Sequence, residues 1–94
     1  MFKTLEELIS VIRQRKRSST EESYTNKLLN NKKLSGEKVK EEIIELVDAI
    51  EKDTNKVHEA ADVLYHLMVL LEANGIKIED VMGELKKIQN DKLA

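Results

Sequence analysis

The sequence predicts an all-α fold, a compact bundle of about five helices, and three observations carry that prediction. Apolar residues recur at helical spacing in successive segments, no segment alternates with the period of a strand, and the chain has zero Pro and three Gly in 94 residues. Its length is that of one domain, so residues 1–94 are read as a single unit.

Leu5, Leu8, Ile9 and Ile12 repeat at i, i+3, i+4 and i+7 behind Thr4, with Glu7 three residues after that Thr. This is a capping-box arrangement and predicts a first helix from about Leu5 to Lys16. The basic run Arg13, Arg15, Lys16 and Arg17 suits the negative end of that helix. Ser18, Ser19 and Thr20 mark a loop, and a short helix is expected over Tyr24 to Asn30.

Ser35 and Gly36 are expected to open the third helix, whose apolar positions Val39, Ile43, Leu46, Val47 and Ile50 keep the 3.6-residue period up to Asp53, Thr54 and Asn55. A fourth helix is predicted from about Asn55 to Asn74, stopped by Gly75. Val63 to Leu71 is apolar nearly all round, which predicts a central helix covered on several sides by other helices or by a second subunit. Ile78, Val81, Leu85 and Ile88 define the last helix, with Lys77 at its cap position. The third and fourth helices are therefore expected as a central antiparallel pair, with dimerisation completing the core.

The charge is uneven. Residues 1–40 carry ten basic and five acidic side chains, and residues 41–94 carry six basic and thirteen acidic ones. An overall charge of -2 argues against a nucleic-acid binder. Zero cysteines exclude a disulfide scaffold and thiolate-held metal, and fit a reducing compartment. No apolar run is long enough to span a bilayer and no secretory leader is visible, so a cytoplasmic protein without a membrane partner is expected.

The chemistry sits on the two central helices. Glu42 and Glu45 fall on one side of the third helix, flanking its apolar arc, and Glu59 and Asp62 repeat the i, i+3 spacing on the fourth. Like charges so placed oppose each other, and more so when turned inward. An antiparallel arrangement brings the two pairs face to face. Converging carboxylates suit a hard divalent cation, Mg²⁺ or Mn²⁺, with positions left for water and phosphate oxygens. The plainer alternative is a solvated acidic stripe paired with Lys38, Lys52 and Lys56.

Glu41-Glu42-x-x-Glu45 followed by Glu59-x-x-Asp62 resembles the motif of the all-α nucleoside-triphosphate pyrophosphohydrolases, the MazG-like superfamily. Further segments resemble one branch, the phosphoribosyl-ATP pyrophosphohydrolases of histidine biosynthesis. These are Ser23-Tyr24-Thr25, Lys27-Leu28, Lys38-Val39, the run Glu59 to Leu67, Gly75-Ile76 and Glu79-Asp80-Val81. Lys40 stands where that branch usually has Gly, Ile43 where it has a small residue, and Lys77 where it has a capping Ser.

The resemblance implies Mg²⁺-dependent cleavage of phosphoribosyl-ATP between its α and β phosphates, giving phosphoribosyl-AMP and pyrophosphate. It implies Glu42, Glu45, Glu59 and Asp62 as metal ligands, with Glu41 in or beside that set as candidate general base. Lys38, Lys27, Tyr24 and Thr25 are the expected substrate contacts, and the basic end of the first helix is a further source of phosphate-binding charge. Lys38 can reach phosphate or pair with Glu42, and Tyr24 is as well placed for packing. His66, one turn after Asp62, is expected behind the ligands, orienting the Asp62 carboxylate, while His58 is expected on the surface. A homodimer or higher homo-oligomer is expected from the family. Two alternatives stand beside this reading: a house-cleaning hydrolase of free nucleoside triphosphates, and a helical interaction module without activity.

Overall fold

The structure is a computed structural model that describes residues 1–17 and 23–93. The expected loop at Ser18, Ser19 and Thr20 lies outside the described residues. Five helices follow in order: α1 Lys3–Arg15, α2 Tyr24–Leu29, α3 Lys32–Lys52, α4 Lys56–Ala73 and α5 Ile78–Lys92. No strand occurs among the described residues, and the all-α expectation holds.

Two helix starts differ from the expected ones. α1 begins at Lys3 behind Phe2, with no side-chain cap, so Thr4 lies inside the first turn and its pairing with Glu7 is not used. α3 begins three residues before Ser35. The Asn31 side chain accepts from the Leu34 amide at 3.0 Å and caps the helix. Ser35 is instead buried in the helix body. Of the polar run Asn30, Asn31, Lys32 and Lys33 between the two helices, both lysines belong to α3. Ser23 caps α2, accepting from the Asn26 amide at 3.1 Å.

The turn between α3 and α4 fixes how their acids meet. Asp53 adopts a left-handed φ of 55°, the Thr54 amide donates to the Ala49 carbonyl at 2.9 Å, and Asn55 is left-handed at 44°. This is a Schellman closure with Asp in the glycine position, a residue type that tolerates the conformation. The reversal takes only Asp53, Thr54 and Asn55, so α3 and α4 pack antiparallel as the most extensive helix pair of the chain. α4 ends in the same motif. Gly75 takes φ 67°, and the Ile76 amide donates to the Leu71 carbonyl at 2.9 Å.

α4 is central, packing against α1, α2 and α3. Ile12, Leu28, Leu29, Val69 and Ala73 form the core, with Leu8, Leu34, Tyr65 and Met68 packed against them. The apolar run is not fully enclosed within one chain: Leu64 is half exposed, and so are Ile43, Val47 and Ile50 along α3. α5 buries no residue and packs extensively on no other helix. It is tied to α1 by Arg13, which donates to Glu79 at 2.7 Å. No described helix is long and apolar enough to cross a membrane.

Candidate metal and phosphate site

The four predicted acids come together on the α3–α4 seam. Glu42, Glu45 and Glu59 each offer a carboxylate oxygen within 4.8 Å of the others, and Glu42, Asp62 and a His66 nitrogen form a second such group. Asp62 and Glu59 form a third with His58. Glu42 belongs to both of the first two groups and is the pivot of the site.

Burial of Glu42 separates this cluster from a solvated stripe, with Glu59 and Asp62 half-buried and Glu45 exposed at its edge. Glu42 is only 9% exposed, and one oxygen of Glu42 and one of Glu59 are buried without a hydrogen-bond partner. A buried, unpaired carboxylate oxygen costs more than an unmade neutral hydrogen bond, so two in one place would be relieved by a positive partner. Burial pushes the Glu42 carboxyl above the usual carboxylate range, and Glu45 and Asp62 push it further, while His66 opposes them.

The lysines named in the plainer reading do not serve these acids. Lys38 pairs with Glu41 at 3.4 Å, Lys52 with Asp48 at 3.0 Å, and Lys56 with Asp53. Lys38 thus meets Glu41 rather than Glu42. Among the described residues no Lys or Arg forms an ion pair with Glu42, Glu45, Glu59 or Asp62. Of the described basic side chains, the surface His58 comes to ion-pair distance, 3.3 Å from Asp62.

The other expected residues divide. Glu41 is exposed on the flank of α3, held by Lys38 and outside all three acid groups, as its 100° offset from Glu42 requires. Tyr24, the first residue of α2, brings its hydroxyl to His66 Nε2 at 3.1 Å. Thr25 bonds to the Tyr65 hydroxyl. Both hydroxyls expected on substrate therefore tie α2 to α4 within this chain. Lys27 is exposed and makes no ion pair among the described residues. His66 Nδ1 meets the Asp62 backbone carbonyl at 2.9 Å, not the carboxylate. The basic end of α1 is engaged at the other end of α4, where Arg13 and Lys16 each come within 3.7 Å of Glu72. About 20 Å of helix separates that point from Glu59.

Asn26 was not legible as important. It is fully buried, donates to the Arg15 carbonyl and accepts from Asn30 at 2.9 Å, which locks α2 onto the end of α1. Its only sequence signal is a lone Asn inside the Tyr24–Leu29 helix, a place its helix propensity does not favour.

With this geometry in view, comparison with known proteins decides the family. Residues 5–89 match the profile of a protein family described as Phosphoribosyl-ATP pyrophosphohydrolase. The chain belongs to that family. Among curated relatives, a phosphoribosyl-ATP pyrophosphatase of Methylobacterium nodulans is 45% identical over 87 residues, covering 89% of this chain and 81% of that one. One of Methanosarcina acetivorans is 40% identical over 86 residues, covering 86% and 83%. A histidine biosynthesis bifunctional protein of Pyrococcus furiosus is 43% identical over 84 residues, covering 88% of this chain and 40% of its own length. The phosphoribosyl-ATP pyrophosphohydrolase family places the chain among hydrolases acting on acid anhydrides, and its acid cluster lies within the matched region.

Proposed function

We propose that the chain hydrolyses phosphoribosyl-ATP to phosphoribosyl-AMP and pyrophosphate in histidine biosynthesis, with Mg²⁺, or Mn²⁺ in its place, held on the α3–α4 seam. Family membership supports the substrate. The observation that carries the metal is the pair of buried, unpartnered oxygens on Glu42 and Glu59, in a cluster that no Lys or Arg among the described residues pairs with.

The donor set fits a hard cation. Glu42, Glu45, Glu59 and Asp62 supply oxygens only. When bound, the cation would neutralise phosphate oxygens and lower the pKa of a coordinated water. Water adds to phosphorus and the bridging P–O bond between the α and β phosphates breaks, releasing pyrophosphate. Glu41 is the proposed base. In the structure its carboxylate is occupied by Lys38. A phosphate that draws Lys38 away leaves Glu41 free to take the water's proton, so the two residues act in sequence. Lys27 is the second proposed cation for phosphate, and Tyr24 and Thr25 line the α2 side of the approach.

The protein is further proposed to work in the cytoplasm as at least a homodimer. Ile43, Val47 and Ile50 form an exposed row at i, i+4 and i+7 beside the acids, with Leu64 exposed on α4, and such a row is covered most simply by a second copy. Light scattering on the purified protein tests this, and a monomer contradicts it.

The activity is tested by pyrophosphate release from phosphoribosyl-ATP and from ATP, with and without Mg²⁺. Faster turnover of ATP transfers the protein to the house-cleaning alternative. Release that persists after chelation removes the metal from the reading.

A further inference from the structure

Among the described residues His66 is the one nitrogen donor buried at the acid cluster, and its two ring nitrogens are both committed. Its Nδ1 lies 2.9 Å from the Asp62 backbone carbonyl. A carbonyl oxygen only accepts, so Nδ1 carries the proton and the lone pair of the neutral ring is on Nε2. That lone pair lies 3.1 Å from the Tyr24 hydroxyl, which fills it by donating. Burial raises the Tyr24 phenol above its ordinary pKa, so it remains a donor.

The ring is also fixed in place. His66 is 6% exposed and stands edge-on to Tyr65 at 4.9 Å and to Tyr24 at 6.0 Å between centroids. Yet a His66 nitrogen lies within 4.8 Å of oxygens of Glu42 and Asp62. Nδ1 is held by the carbonyl, so Nε2 is the ring nitrogen whose lone pair a cation beside Glu42 and Asp62 would have to take.

Imidazole nitrogen favours Ni²⁺, Co²⁺ and Zn²⁺, whereas a set of oxygens alone suits Mg²⁺ and Mn²⁺. We infer that the Tyr24 hydroxyl is a metal-selectivity device: by occupying His66 Nε2 it keeps nitrogen out of the coordination set and biases the cluster toward hard cations. This rests on the proposed metal site and adds to it a reason for the Tyr24–His66 bond. Tyr24 then acts through His66, as a positioning residue.

The test is calorimetric titration of the metal-free, untagged protein with Mg²⁺ and, separately, Ni²⁺, in the absence of substrate. Tyr24→Phe keeps the ring and frees Nε2. It is expected to tighten Ni²⁺ binding by about tenfold or more, within the range by which groups behind metal ligands tune affinity, with little change for Mg²⁺. The double variant Y24F/H66Q is expected to lose that gain, which separates His66 from the exposed His58. H66Q alone is expected to bind Ni²⁺ as the unaltered protein does, because its nitrogen is already withheld.

An unchanged Ni²⁺-to-Mg²⁺ preference in Y24F overturns the inference while leaving the metal site standing. So does a gain that survives in the double variant, or a loss of Ni²⁺ affinity in H66Q. A wild-type protein that binds neither ion overturns the metal site itself and this inference with it.

Discussion

Glu42 on α3 and Glu59 on α4 each bury a carboxylate oxygen without a hydrogen-bond partner, and the two residues share one acid group across the helix seam. Neither helix gains from this alone. The arrangement is stable only in so far as the α3–α4 packing and the tight Asp53–Asn55 reversal hold it, and a bound cation would relieve it.

The first prediction concerns pH. The native Glu42 carboxyl keeps its proton to higher pH than in the unfolded chain, because burial and the Glu45 and Asp62 charges raise its pKa. The native state then binds more protons than the unfolded one across that interval, so metal-free stability falls as pH rises through it. The loss is complete once the raised native pKa is passed. Thermal melts of the metal-free protein, taken as pH rises from the ordinary carboxylate range, are expected to show this decline, and Glu42→Gln to reduce it.

Ligand loss should be severe for catalysis and mild for folding. Glu42→Gln and Asp62→Asn are each expected to lower pyrophosphate release by about 10²-fold or more, since cation stabilisation of phosphate charge amounts to several kcal/mol. Circular dichroism should show both variants folded. Full activity in both contradicts the site.

Glu41→Gln separates a base from a metal ligand. The structure keeps Glu41 out of the acid groups and against Lys38. Its loss is expected to lower kcat while leaving Mg²⁺ affinity, measured calorimetrically, unchanged. A parallel fall in Mg²⁺ affinity would make it a ligand instead.

Stability away from the site should depend on Asn26. Truncation to Ala removes a fully buried side chain that donates to the Arg15 carbonyl and accepts from Asn30, which keeps only the Asn26 backbone carbonyl as acceptor, at a cost of about 2 kcal/mol. For a domain of this size that corresponds to a fall in Tm of roughly 10 °C. Arg13→Ala, by contrast, removes an exposed pairing with Glu79 and Glu72 at the far end of α4, and hydrolysis should be unaffected.

Most of this fold is readable from apolar spacing, because α3 carries a clean 3.6-residue period, α4 a run apolar nearly all round, and both end at residues that accept a left-handed turn. The misreadings have local physical causes. Thr4 and Glu7 fit a capping box by type, but helix starts are set by where the chain enters, and α1 starts behind Phe2. Ser35 looks like a cap, yet Asn31 takes that role, and polar Lys32 and Lys33 continue the helix at little cost. At the site, spacing alone brings Glu42, Glu45, Glu59 and Asp62 together, since two helices and a short turn determine it. The partners of Lys38, Tyr24 and His66 were not readable, because long or aromatic side chains choose among neighbours that only packing defines.

The most direct measurement is a crystal of this protein soaked in Mn²⁺ and examined for anomalous scattering. A peak on the α3–α4 seam, ligated by oxygens of Glu42, Glu45, Glu59 and Asp62 at about 2.1 to 2.3 Å, is the predicted result. Density that shows these carboxylates turned into solvent, with no ion between the helices, would contradict it.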